Sequence, residues 1–220
     1  MNKHRTTPGP ATPHLAAPRS STTARILRAA ILTLPLGVLG LACIEVPPPK
    51  TAAPLAPKNI KAPEGESLES ACTPTGVEIC FDARDNNCNG VIDEGCGVHT
   101  GILQFAIAWD APEADIDLQV TDTQGEMARM GETTADGLMK DRECPADGAC
   151  YGQNIENVFL ADGDAKRGKY KVVIHLNDLN GATAPVKVQL SVRVAQKTYS
   201  SRVQVSPGAS TQDKEFEFTL

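Results

Sequence analysis

Residues 100–220 carry one pattern that leaves few folds open: apolar and polar side chains alternate with period two in run after run. Ile116, Leu118 and Val120 alternate with Asp115, Asp117 and Gln119. Tyr170, Val172, Ile174 and Leu176 alternate with Lys171, Val173 and His175. Val186 to Val194 repeats the pattern, and Phe216, Phe218 and Leu220 close the chain against Glu215, Glu217 and Thr219. Successive strand side chains point to opposite faces, so each run offers one face to a core and one to water. Ile102–Trp109 is a mostly apolar run, and Ile155, Val158–Leu160 and Val203 with Val205 mark shorter segments. Turn signals at Thr123-Gln124-Gly125, Asn180-Gly181 and Pro207-Gly208 separate them. About seven strands with no helical period predict an all-β fold, an antiparallel β-sandwich of Ig-like or jelly-roll-like form. The stretch 126–153 reads as one long loop.

The other end of the chain is built differently. Residues 1–42 contain no acid and five basic residues, Lys3, Arg5, Arg19, Arg25 and Arg28. All 27 acidic residues follow, against 16 of the 21 Lys and Arg. So acidic a body lacks the basic face that nucleic acid requires. Ala29–Ala42 is uncharged and too short to span a bilayer, the length of a signal-peptide core. It ends Gly40-Leu41-Ala42-Cys43, which resembles a bacterial lipobox. That resemblance implies cleavage before Cys43, lipidation of Cys43 and attachment to a membrane. Ile44 follows in place of the Asp of an inner-membrane retention signal, so the outer membrane is the expected location. Residues 43–70 are Pro-, Ala- and charge-rich and read as a disordered tether.

Seven cysteines fit export. Cys43 would be consumed by the lipid, and six remain, an even number that suggests three disulfides. Cys144 and Cys150 are expected to pair; the spacing leaves the order among Cys72, Cys80, Cys88 and Cys96 open. Within this Cys-rich segment, 71–97, Asp85-x-Asn87-x-Asn89-Gly90-Val91-x-Asp93 matches the first nine positions of an EF-hand-type calcium loop. Asp85, Asn87 and Asn89 supply side-chain oxygens, Val91 a carbonyl, Asp93 a direct or water-mediated ligand, and Gly90 the turn. Cys96 stands where the loop would have its bidentate Glu, with Glu94 and Asp82 as neighbouring acids that could contribute instead, and two ligands are neutral. Calcium affinity should therefore be weak, about 10⁻⁴–10⁻³ M. The alternative is a disulfide-stapled turn with no metal.

The segment also resembles the MopE-type metal-binding motif of secreted and lipid-anchored bacterial proteins. Glu78-Ile79-Cys80, Asp82, Asp85 to Gly90 and Ile92 to Cys96 carry the likeness. It implies metal binding. Copper is disfavoured, since 71–97 lacks His and Met, and zinc is disfavoured by the seven-residue gaps. Downstream, three elements resemble the YfaP-like β-sandwich domains. They are Trp109-Asp110 with Asp115-Ile116-Asp117-Leu118-Gln119-Val120, then Glu156-Asn157-Val158, then Gly168-Lys169-Tyr170 running to His175. Asp115 and Asp117 share a strand face near Asp110, a candidate second metal set; the alternative is a solvated face.

No catalytic constellation is present: neither His-Glu-x-x-His, nor Gly-x-Ser-x-Gly, nor a phosphate loop. The sequence thus divides into a signal peptide (1–42), a tether (43–70), a metal-binding motif (71–97) and a sandwich (98–220). The expected protein is a non-catalytic, lipid-anchored envelope protein with an unidentified protein or glycan ligand. The alternatives are an adhesion module and the accessory domain of an envelope enzyme.

Overall fold

The computed structural model describes residues 54–220 except 71, 73, 145–149, 151 and 162. The expected signal peptide, Cys43 and the start of the expected tether lie outside the described residues. Nine strands follow in order: β1 (Asn59–Lys61), β2 (Leu103–Trp109), β3 (Asp115–Thr121), β4 (Leu138–Arg142), β5 (Ile155–Leu160), β6 (Lys169–Asp178), β7 (Val186–Val194), β8 (Lys197–Val205) and β9 (Asp213–Thr219). They form two sheets, β1-β9-β6-β3 and β4-β5-β2-β7-β8, with antiparallel pairing throughout. The chain is an all-β sandwich with a disulfide-rich segment ahead of it.

The alternating runs do what their period requires. Ile116, Leu118 and Val120 of β3 and Phe216, Phe218 and Leu220 at the C-terminus are buried in one core with the even-numbered valines of β7. Phe105 sits at its centre, 5.9 Å from Phe218 in an edge-on contact and 6.2 Å from Tyr170. β2 departs from alternation for a structural reason. Both its faces are covered: Leu103, Phe105, Ile107 and Trp109 line the core, while Ala106 and Ala108 pack against Ala83 and Ile92 of the Cys-rich segment.

Two readings change in detail. Residues 54–70, taken as tether, contribute structure: β1 pairs with β9, Glu69 bridges to Ser200, and Leu55, Ile60 and Leu68 pack on the core. Sparse apolar residues suffice because the sheet edge supplies the backbone partners. The stretch 126–153 is also not one loop, since β4 lies within it and pairs with β5. Its sequence, Leu-Met-Lys-Asp-Arg, hides the strand because the second inward position is a lysine, Lys140.

Candidate functional site

The Cys-rich segment has little with which to build a core. It is held instead by two interleaved disulfides, Cys72–Cys88 and Cys80–Cys96, each spanning 16 residues. Cys144–Cys150 is the third bridge. Between the cysteines, side-chain oxygens satisfy backbone donors. Asp85 Oδ1 accepts from the Asn89 N–H at 3.0 Å and Oδ2 from the Gly90 N–H at 2.8 Å. Asn87 Oδ1 accepts from the Asn89 N–H and Asn89 Oδ1 from the Val91 N–H. These short-range bonds wind the 85–91 segment into a tight loop, as Asp and Asn do where chains turn. Gly90, at φ +87°, must be glycine twice over: a Cβ there would lie 2.6 Å from the Gln196 carbonyl oxygen.

The loop brings together three of its expected groups and replaces one. The side-chain amides of Asn87 and Asn89 both reach Glu94 Oε1, each at 2.5 Å. Glu94 Oε2 is buried with no hydrogen-bond partner. Asp93 is used elsewhere. Its Oδ1 accepts from the N–H groups of Phe81 and Asp82 and its Oδ2 from Ala83, fixing a turn in which Phe81 and Ala83 both have positive φ. Glu94, not Asp93, is therefore the carboxylate that faces Asn87 and Asn89. The sequence offers Glu94 as a neighbouring acid, but spacing alone does not show that Asp93 turns away to the backbone of 81–83.

The segment is also electrostatically one-sided. From Cys72 to Cys96 it holds Glu78, Asp82, Asp85, Asp93 and Glu94 against one base, Arg84. Burial pushes Asp82 up to about 6, and burial together with the Asp82 charge pushes Asp93 up to about 7. Burial, reinforced by Glu94, also raises Glu78. Asp82 Oδ1 joins Glu94 Oε2 as a buried oxygen without a partner. The available donors are hard oxygens, the set calcium prefers, and the cysteines that would favour zinc or copper are held in disulfides.

The suggested second set does not assemble. Asp110 accepts from the Lys187 backbone N–H, and Asp115 accepts from the Asn177 amide at 2.6 Å. Asp117 instead lies with Glu143 and Glu156, the three acids whose ligand atoms fall within 4.8 Å of one another. A lysine already occupies this cluster. Lys140 Nζ is 2.8 Å from Glu156 and 2.5 Å from Glu143. Glu156, fully buried on β5, also accepts from the backbone N–H groups of Leu118 at 2.6 Å and Cys144 at 3.2 Å. It thus ties β3 of one sheet to β5 of the other. Burial pushes Glu156 up to about 8, aided by the Glu143 charge and opposed by Lys140. Burial also tends to raise Glu143, but hydrogen bonds to Lys140, Glu156 and Asp117 together with the Lys140 charge hold it below the usual range. The sequence signal for this network was the pair Lys140 and Glu156, each at a position facing the core.

Among the described residues, His99 and His175 serve as surface fasteners. His175 Nδ1 meets Asp213 at 2.6 Å, and His99 stacks on Phe159 with its Nδ1 2.7 Å from Asp141. Comparison with known proteins yields no matching family model, no matching curated protein and no matching solved structure.

Proposed function

We propose that this is an exported, lipid-anchored, non-catalytic binding protein of the cell envelope, whose Cys-rich loop takes calcium and whose sandwich displays it. The observation that carries the calcium reading is the meeting of Asn87, Asn89 and Glu94 beside an unpaired, buried Glu94 oxygen. An amide offers either its nitrogen or its oxygen after a half-turn, so Asn87, Asn89, Asp85 and Glu94 can all serve as oxygen ligands. A bound calcium would supply the positive charge that five acids and one arginine leave wanting. The protein's own contribution is rigidity, from two disulfides where an EF-hand has two helices.

Calorimetric titration of the full chain with calcium chloride tests this. Heat should fit one weak site, about 10⁻⁴–10⁻³ M, and Glu94→Gln and Asp85→Ala should each weaken it at least tenfold. Absence of heat in the folded wild-type protein overturns the reading. The three disulfides support an oxidising compartment. Lipidation at Cys43 is read by intact mass after expression in a lipoprotein-competent bacterium; an unmodified chain starting elsewhere refutes the anchor.

A further inference from the structure

The Cys-rich segment sits on the outer face of the five-stranded sheet, and the seam between them holds an unusual convergence. Gln189 on β7 and Arg202 on β8 are cross-strand partners facing outward. Arg84 reaches them from the Cys-rich segment. Arg84 donates to Gln189 Oε1 through Nε at 3.3 Å and Nη2 at 3.2 Å, and Arg202 Nε donates to the same oxygen at 3.2 Å. Two guanidinium cations thus share one neutral acceptor. Among the described residues, neither has a carboxylate oxygen within 4.0 Å. A guanidinium carries five N–H donors, so most of those on both residues remain free.

These three residues are shared by two clefts. One, about 360 Å³, is walled mainly by hydroxyls and amides, including Thr75, Asn86, Thr198 and Ser200, with Asp85 also in its wall. The other, about 410 Å³, adds Lys187 and Trp109 together with Asp82 and Asp110. The acids of these clefts each hold at least one polar partner, though Asp82 Oδ1 has none. Asp85 holds its loop and receives the Thr198 hydroxyl, Asp110 faces Lys187, and Asp82 receives the Asn86 amide. Like charges brought together in a partly enclosed cleft favour an anion between them. The guanidinium fork suits a carboxylate or a sulfate, to which it can donate two parallel bonds.

We propose that the Arg84–Gln189–Arg202 seam binds a small anionic sugar. The two arginines would hold its carboxylate or sulfate, and the hydroxyl-lined wall would meet its hydroxyls. The site lies beside the calcium loop but uses none of the side chains that meet Glu94. Its failure would leave the calcium reading standing, and the converse holds.

Calorimetric titration of the full chain in calcium-free buffer provides the test, with glucuronate, glucose 6-sulfate and neutral glucose as probes. Glucuronate or glucose 6-sulfate should bind, and whichever binds more tightly names the anion. Glucose should bind at least tenfold more weakly. Arg202→Gln, on the exposed side of an intact sheet, should weaken anionic-sugar binding at least tenfold, and Arg84→Gln should do the same. Adding 0.5 M sodium chloride should weaken it severalfold. No heat with either anionic sugar, equal binding of glucose, or full binding by a correctly disulfide-bonded Arg84→Gln/Arg202→Gln protein would overturn the proposal.

Discussion

From Leu103 to Leu220 the chain is held by apolar burial; from Cys72 to Cys96 it is held by covalent bridges and side-chain-to-backbone hydrogen bonds. The sandwich buries large side chains such as Phe105, Tyr170, Phe216 and Phe218 almost completely. In the Cys-rich segment the buried apolar residues among those described are Ala83 and Ile92, and the buried polar ones are Asp85, Asn86 and Asp93. Ala83 and Ile92 gain burial only by resting on Ala106 and Ala108 of β2. The difference teaches where binding chemistry can live. A segment folded by crosslinks is free to concentrate carboxylates and leave some of them unsatisfied. A segment folded by its core gives its buried acids partners: Lys140 for Glu156, backbone N–H groups for Asp122, and the Thr123 N–H and hydroxyl for Asp136.

The comparison can be broken at several points. Phe105→Ala empties the centre of the sandwich and should cost about 3–5 kcal/mol, read by urea unfolding. A loss below about 1 kcal/mol would mean that the core is not what holds this half. Replacing Cys80 and Cys96 together by Ser should cost the Cys-rich segment about 3 kcal/mol. Hydrogen exchange should then quicken from Thr75 to Asp93 while β7 and β9 stay protected. Equal acceleration everywhere would make the two regions one cooperative unit.

The neutralised acid of the sandwich sets a third test. Glu156 is raised from 4.5 to about 8 in the folded chain, so folding favours its protonated form. That contribution is complete below 4.5 and is lost as pH rises through about 8. The melting temperature should fall between pH 4.5 and about pH 8, by about 2–4 °C for each kcal/mol lost, and Glu156→Gln should flatten the fall. An unchanged fall in the variant would assign it elsewhere. The smallest effect is expected from calcium. At about 10 mM and a dissociation constant of about 1 mM, it should add about 1.4 kcal/mol. The added exchange protection should be confined to residues 85–94, and protection spread over the sandwich would contradict a local site.

Much of the fold was legible because period two is a local property of the backbone. β3, β6, β7 and β9 needed no partner to be recognised. β4 and β1 were hidden, since Lys140 breaks the apolar phase of one and only three residues make the other. At the candidate site, Asp85, Asn87, Asn89 and Gly90 were legible from spacing. Glu94 was legible as a neighbouring acid, but the diversion of Asp93 was not, because it depends on a turn at 81–83 about ten residues away. Arg84 and Arg202 lie 118 positions apart in the sequence, and no motif joins them.

The sequence by itself determined which side chains face a core, that the cysteines come in an even set once Cys43 is set aside, and that one short loop gathers oxygens. Those are properties of neighbours in the chain. Only the tertiary structure decided that the Cys-rich segment rests on β2, that its disulfides interleave, that Asp117 joins Glu143 and Glu156, and that two arginines meet over Gln189. Each of these depends on contacts between distant segments, and the packing of the sheets fixes those contacts where periodicity and spacing carry no information about them.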